Sequence, residues 1–343
     1  MSKNVTIRDV AAAAGVSHQT VSRVINNRTD VADETRERVW QIIQELGYRP
    51  NAIARSLIQQ RSFTLGVVTA GLKYIGPSRT LNGITEKAEE MGYALLLKEL
   101  PRFDTSDLEP VFEALSSRQV DGIIWATSEV GNNLDWLQSN SPRLAVPMIF
   151  ITMKPRPGLP IVAVDNHAGG CMATAHLLEQ GRRHIGHIAG PLAWWESRQR
   201  KAGWEDTLHA AGMVVEDRHW DEGNWSCASG EYAMLRLLKN YPEMDAVFVG
   251  NDQMALSVLQ IACRQGIRVP DDLAVVGFDG ITESAYFWPP LTTVSQDQRE
   301  LGHTAVRELI RRIDVVRSGM ADLEPRTILL QPELIVRASS VSP

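Results

Sequence analysis

Residues 6–27 read TIRDVAAAAGVSHQTVSRVINN, and residues 34–57 read ETRERVWQIIQELGYRPNAIARSL. In the first stretch Val10, Ala13 and Ala14 form one small apolar face, and Gly15 can take the positive φ a tight turn needs. Ser17 is a natural N-cap for a helix beginning at His18. Val21, Val24 and Ile25 recur at i, i+3 and i+4, so this second short helix should bury them. His18, Gln19, Ser22, Arg23 and Asn26 are left facing outward. Gln and Asn can pair bidentately with adenine, and Arg with guanine, in a major groove. Two short helices around a turn, the second carrying such a face, predict a helix-turn-helix with the second helix as reader.

Working outward, a third helix is expected over residues 33–46, with Val39, Ile42, Ile43 and Leu46 as its buried stripe. Trp40 would cap this small core, and Gly47 would stop the helix. Pro50 then blocks continuation, and Asn51 can cap a new helix over residues 52–58. Isolated helices below about 12–15 residues are marginal in water. This one should form only when packed against something.

The composition of all 343 residues, 44% hydrophobic and 22% charged, is that of a soluble globular protein of two or three domains. The net charge of −6 argues against a protein that coats nucleic acid indiscriminately. The charge is uneven: residues 1–60 hold 8 Lys/Arg against 6 Asp/Glu, and the remainder 27 against 35. A mildly basic head on an acidic body fits a nucleic-acid reader joined to something else. Cys171, Cys227 and Cys263 are too scattered for a disulfide framework or zinc site. The polar start carries no signal peptide, and no apolar run approaches the ~18–20 residues of a membrane span. A cytoplasmic protein is expected.

From Phe63 the pattern becomes strand–helix alternation. Candidate strands are 64–69, 93–98, 122–126, 148–152, 162–164, 184–189, 246–250, 273–278 and 293–296. Helical runs include 81–91, 108–116, 168–179, 195–211, 229–240, 253–265 and 301–318. Such alternation means parallel sheets covered on both faces, here two Rossmann-like lobes in tandem. Open parallel sheets bind ligands beyond the carboxyl ends of their strands. The residues there include Tyr74, Arg102, Ala126, Thr152, Trp194, Arg198, Asn251, Asp252, Asp279 and Gln296. Nine tryptophans is a high count, and Trp194, Trp195, Trp225, Phe287 and Trp288 fall at presumed loops. Aromatic platforms with a few polar partners are what a sugar needs.

Residues 5–27 and 34–57 together resemble the DNA-binding head and hinge of the lactose-repressor (LacI/GalR) family of transcription regulators almost position for position, and the resemblance continues down the chain. It implies an all-α helix-turn-helix head on an α/β core of the periplasmic-binding-protein type I fold. The domains would be 1–48 for the head, 49–62 for a hinge helix and linker, and 63–343 for effector binding and dimerisation. Three crossings near Ile161, Pro290 and Asp322 would divide the core into one lobe of about 63–161 and 291–322 and another of about 162–290 and 323–340. A strand tail over 327–336 would finish the second lobe. Asn51, Ala54 and Leu57 fall in the implied hinge, with Leu57 as the apolar wedge that kinks the operator centre. Thr6, Ser17 and Asn26 would hold phosphates while His18, Gln19 and Arg23 read bases.

The same resemblance points to effector residues. AGPLAWWESRQRKAGW would carry the effector arginine as Arg198, GNDQMAL the pair Asn251–Asp252, VVGFD the aspartate Asp279, and PPLTTVSQDQRELG the glutamine Gln296. EGNWSCASG would supply Trp225, and GVVTAGLKYIGPS places Tyr74 where the lactose repressor has an aliphatic contact. Thr152 and Ala126 depart from that repressor's aspartate and asparagine, so the hydroxyl pattern should differ.

His176, His184 and His187 are read as surface or satisfied histidines, not as metal ligands. No glycine-rich loop matches a nucleotide cradle, so no cofactor is expected. No nucleophile motif stands in context, so no enzymatic activity is expected. The expectation is a homodimeric, allosteric repressor of a pseudo-palindromic operator, released by a small sugar, a glycoside or disaccharide. The alternatives are a purine or sugar-phosphate co-repressor on the same architecture, and a sugar-binding protein or glycosidase.

Overall fold

The computed structural model describes residues 5–25, 28, 30–48, 61–105, 107–137, 146–320 and 323–341. Asn26, Asn51, Ala54 and Leu57, and with them the expected hinge helix, lie outside the described residues. The chain forms two compact units, Met1–Phe63 and Thr64–Pro343.

In the first unit, α1 (Ile7–Ala14), α2 (His18–Ile25) and α3 (Asp33–Leu46) enclose a core of Val10, Ala11, Ala14, Val21, Val24, Val39 and Ile43. Gly15, at φ 66, ends α1, and Gly47, at φ 61, ends α3. Ser17 Oγ accepts the Thr20 N–H at 3.1 Å, capping α2. The apolar face of α1 uses Ala11 rather than Ala13. With about 100° between successive residues, the buried arc is centred on Ala14 and Ala13 falls outside it. Trp40 and Leu46 are each 38% exposed, so neither closes the core as expected.

The second unit has two lobes, each with a six-stranded sheet. The first sheet contains β1 (Thr64–Ala70), β2 (Ala94–Leu100), β3 (Gly122–Ala126), β4 (Met148–Ile151), β5 (Ile161–Val164) and β11 (Thr327–Leu330). The second contains β6 (Ile185–Ala189), β7 (Trp220–Glu222), β8 (Ala246–Val249), β9 (Ala274–Asp279), β10 (Thr292–Ser295) and β12 (Glu333–Ile335). The orders are β11-β5-β4-β3-β1-β2 and β12-β10-β9-β8-β6-β7. Every pairing is parallel except the last strand's, β12 on β10. Strands such as β1, β6 and β8 are buried along nearly their whole length, as parallel sheets covered on both faces require.

The covering helices are α4 (Ile75–Glu90), α5 (Glu109–Ser117), α6 (Asn166–Glu179), α7 (Trp195–Ala210), α8 (Cys227–Asn240), α9 (Asp252–Gln265) and α10 (Gln298–Arg317). Several start earlier than periodicity suggests, because side chains ahead of the apolar run cap them. Asp165, Ser226, Asn251 and Asp297 accept from Ala168, Ser229, Met254 and Glu300 N–H groups. Pro77, in the first turn of α4, is tolerated there because an N–H at that position would have no acceptor within the helix.

The crossings between lobes fall at residues 165, 296–297 and 331–332, later than expected. The expected tail strand is two strands. β11 pairs with β5 in the first sheet, and β12 pairs with β10 in the second. Pro332, which cannot donate a ladder hydrogen bond, lies in the break.

In both lobes helices meet backbone to backbone. A Cβ on Gly83 would stand 2.3 Å from Arg299 O, and one on Gly302 2.5 Å from Thr80 O, where α4 meets α10. A Cβ on Gly170 or Gly203 would stand 2.3 Å from Arg200 O or His167 O, where α6 meets α7. The second contact brings the N-terminal end of α6 against the middle of α7, and so decides what Arg200 can reach.

Candidate functional site

A cleft partly open to solvent lies beyond the carboxyl ends of strands from both sheets. Its polar floor is built around Arg200, which is 5% exposed. Arg200 Nε donates to Asn166 Oδ1 at 2.8 Å, and Nη1 donates to Gly250 O at 2.5 Å and to Asp279 Oδ1 at 3.3 Å. Its guanidinium lies 3.7 Å from the Phe278 ring centroid. Gln296 Nε2 donates to the same Asp279 oxygen at 2.6 Å. Burial raises the Asp279 carboxyl, and Arg200 and Gln296 oppose that rise. Asp279 also sits at φ 106, a region a non-glycine residue rarely adopts. Such strain persists only where the surroundings over-determine it.

Asp252 stands behind this floor and outside the cleft lining. Its oxygens accept from Ile281 N at 2.8 Å and Thr293 Oγ1 at 2.6 Å, fixing the turn after β9. Burial, with Asp279 nearby, pushes its carboxyl up to about 7. Asn251 is spent on structure: it caps α9 through Met254 N and donates to Trp225 O and Gln253 Oε1.

The cleft's aromatic wall joins the two lobes. Trp194, ahead of α7, meets Phe103 and Tyr74 of the first lobe with centroids 4.5 and 6.0 Å away. It also meets Trp225 of the second lobe edge-on at 5.9 Å. Trp225 is 9% exposed and at φ 70, seated against Gly190, where any Cβ would strike its ring.

Of the residues expected in the site, Tyr74, Trp194, Trp225, Asn251, Asp279 and Gln296 line the cleft, as do Ala126 and Thr152. Arg198 and Arg102 do not. Arg198 turns its guanidinium back to Leu192 O and Ala193 O at 2.7 and 3.0 Å. Arg102 forms an exposed two-pronged pair with Asp104 at 2.8 and 2.7 Å. Two residues along a helix rotate the side chain by about 200°, so Arg198 and Arg200 face opposite ways. The sequence does carry the signal that Arg200 is the inward one. Ser197, Arg200, Gly203 and Trp204 recur at i, i+3, i+6 and i+7 and are all buried. Glu196, Asn166 and Ser128 also line the cleft and were not anticipated. Trp195 packs into the first lobe's core, and Trp288 is 87% exposed, so neither is a platform.

In the N-terminal unit His18, Gln19 and Arg23 are exposed on α2, and Ser22 is half-buried beside them. Arg23 lies 3.6 Å from Asp30 in an exposed ion pair. Thr6 places its N–H and hydroxyl on Asp9 Oδ2 at 2.8 and 2.7 Å, opening α1. His176 pairs with Ser340 Oγ, and fully buried His187 pairs through Nδ1 with Phe248 O while its buried Nε2 has no hydrogen-bond partner. Among the described residues no group of His, Cys, Asp or Glu could hold a metal ion, and no helix is long and apolar enough to cross a membrane.

The pattern described as "Bacterial regulatory proteins, lacI family" matches residues 6–51, and "Periplasmic binding protein-like domain" matches residues 174–340. Proteins named HTH-type transcriptional repressor PurR from Mannheimia succiniciproducens and Aliivibrio fischeri are each 34% identical, over 97% of this chain and 98% of theirs. This chain belongs to the LacI family. Among solved structures, a lac repressor dimer bound to operator and the anti-inducer ONPF is 31% identical, with TM-score 0.81, over 99% of this chain and 100% of that one. A complex of the transcriptional regulator CelR with cellobiose is 32% identical, with TM-score 0.70, over 98% of this chain and 99% of that one. Membership of the LacI family accounts for both units at once. The protein is a DNA-binding transcriptional repressor with a small-molecule effector, not an enzyme.

Proposed function

We propose that this LacI-type repressor binds a pseudo-palindromic operator as a homodimer in the cytoplasm and is released when a neutral sugar, a glycoside or disaccharide, occupies the cleft. The observation that carries the reading is the floor in which Asp279 is held by both Arg200 and Gln296, beneath the wall of Trp194 and Trp225. A fixed carboxylate between a guanidinium and an amide can grip adjacent hydroxyls, while the rings cover an apolar sugar face. The charged groups lining the cleft are Glu196, Arg200 and Asp279, two negative against one positive, and Nε and Nη1 of Arg200 already serve protein acceptors. That balance disfavours a phosphorylated sugar. Cellobiose in the CelR complex lends the sugar reading support from a relative.

On DNA, Gln19, Arg23 and His18 would read bases, while Thr6, Ser17, Ser22 and Asn26 would position the helix against phosphates. Asn51, Ala54 and Leu57 would form the hinge between half-sites, with Leu57 as the wedge. Two-fold pairing would use the second unit, where the adjacent helices α8 and α9 expose Tyr232, Leu235 and Leu256.

The test is a thermal-shift panel of neutral mono- and disaccharides, sugar phosphates and purines on the full-length protein, with operator release measured for each ligand that binds. A neutral sugar should raise Tm and weaken operator binding. Stabilisation by purines alone would replace the sugar reading with a co-repressor reading. Sedimentation equilibrium should give a dimer.

A further inference from the structure

Two carboxylates line the cleft, and they are held differently. Asp279 accepts from Arg200 and Gln296. Glu196, in the first turn of α7 and 6% exposed, meets Ser128 of the first lobe. Its Oε2 is buried without a hydrogen-bond partner. The nearby cations are committed elsewhere. Arg200 serves Asn166, Gly250 and Asp279, and Arg156 forms a two-pronged pair with Glu129 at 2.9 and 3.0 Å. A buried acceptor left unmatched is unfavourable, and polar groups inside proteins are nearly always paired. Here the unmatched acceptor belongs to a residue that lines a cleft.

We propose that Glu196 is a specificity-determining contact of the cleft: its Oε2 accepts a hydrogen bond from a hydroxyl or amino group of the bound saccharide, and its negative charge excludes saccharides that carry an acid group. The proposal rests on the sugar reading above and adds the chemical class that the site selects. Burial pushes the Glu196 carboxyl up to about 7, and greater basicity makes its oxygens stronger acceptors. Because the same side chain touches Ser128 across the cleft, a donor seated on Oε2 lies where the lobes meet.

The experiment is calorimetric titration of the full-length protein near pH 8, where the Glu196 carboxyl is ionised. Cellobiose, lactose and maltose are titrated first, and the tightest is taken forward with its glucosamine-containing analogue and its aldonic acid. Glu196→Ala should weaken the neutral disaccharide by about tenfold or more. Glu196→Gln keeps the volume, and thus decides the matter if the alanine variant fails to fold. It removes the charge, so it should bind the aldonic acid that the wild type refuses. Comparison of the neutral and amino disaccharides on the wild type tells which donor the site prefers. If the disaccharide binds both variants as tightly as the wild type and the acid is still refused, the Glu196 contact is overturned while the sugar reading stands. If no disaccharide binds the wild type, the sugar reading falls and takes this contact with it.

Discussion

Val130 of the first lobe and Trp194 of the second pair as an isolated antiparallel bridge between the lobes. The flanking chain reinforces it: Gly131 N donates to Ala193 O at 3.0 Å, and Trp195 N to Glu129 O at 3.1 Å. The Trp194 ring then inserts beside Phe103 and Tyr74. Main chain and side chain of one residue thus tie the two lobes together beside the cleft. Trp194→Ala keeps the backbone bridge but removes the aromatic contacts, so closure should be less favourable. Effector affinity is expected to fall about 10- to 100-fold, mainly through faster dissociation. Stopped-flow release of the effector checks this, and an unchanged rate would count against the latch.

The two candidate arginines give a sharp contrast. Arg200→Lys cannot reproduce the fork of donors to Asn166, Gly250 and Asp279, and it leaves buried acceptors unmatched. Effector binding should weaken by about 50-fold or more. Arg198→Ala removes only bonds to the carbonyls of its own preceding turn, and binding should stay within about twofold. Calorimetry on the two variants decides between them.

That pair of arginines also shows what is legible in the sequence. Apolar alternation and periodicity reveal the two-lobed architecture, because they report burial, and burial dominates parallel sheets and their helices. The wall and floor residues Tyr74, Trp225, Asp279 and Gln296 stand out because each directly follows a strand or sits in a distinctive run. The inward arginine is harder to see because α7 turns through about 200° between residues 198 and 200. Only the buried register set by Gly203 and Trp204 distinguishes them. Trp288 shows the converse limit: its chemistry suits a platform, but it is exposed. The split tail is hidden because a Pro332 break looks the same whether the chain turns within one sheet or passes to another.

Gly203 offers a test of the scaffold. A Cβ there would meet His167 O at 2.3 Å and Cys171 N at 2.7 Å, both backbone atoms that cannot swing aside. Gly203→Ala should push α7 away from α6 and destabilise the second unit by about 1–3 kcal/mol. Because Asn166 lies at the start of α6, the Arg200–Asn166 bond should loosen as well. Urea unfolding and effector titration on one variant should therefore both respond.

Glu196 makes stability depend on pH in an unusual direction for a carboxylate. Its folded-state pKa is raised from an ordinary 4.5 to about 7 by burial, so the folded protein holds the proton more tightly than the unfolded chain does. The resulting stabilisation is fully present below about pH 4.5 and is lost as pH rises through about 7. Glu196→Gln removes this term. The variant should exceed the wild type by up to about 3 kcal/mol near pH 8, with the difference vanishing toward pH 5. Parallel urea titrations at the two pH values measure it, and a pH-independent difference would contradict the burial assigned to this carboxyl. A site residue whose removal stabilises the fold is what a stability–function trade-off looks like.

On α2, Arg23 is engaged with Asp30 at 3.6 Å, and more than half of each side chain is exposed. Surface pairs of this kind are weak and screened by salt, so a guanine edge or a phosphate can take Arg23 away. Asp30→Asn should free the guanidinium and strengthen operator binding a few-fold at low salt, with the gain shrinking as salt rises. Arg23→Ala should weaken the preferred operator by about tenfold and relax the base preference where Arg23 would touch. Anisotropy titrations against half-sites selected from a random duplex pool separate the two effects. A uniform loss on every sequence would make Arg23 a phosphate contact and leave Gln19 and His18 as the readers.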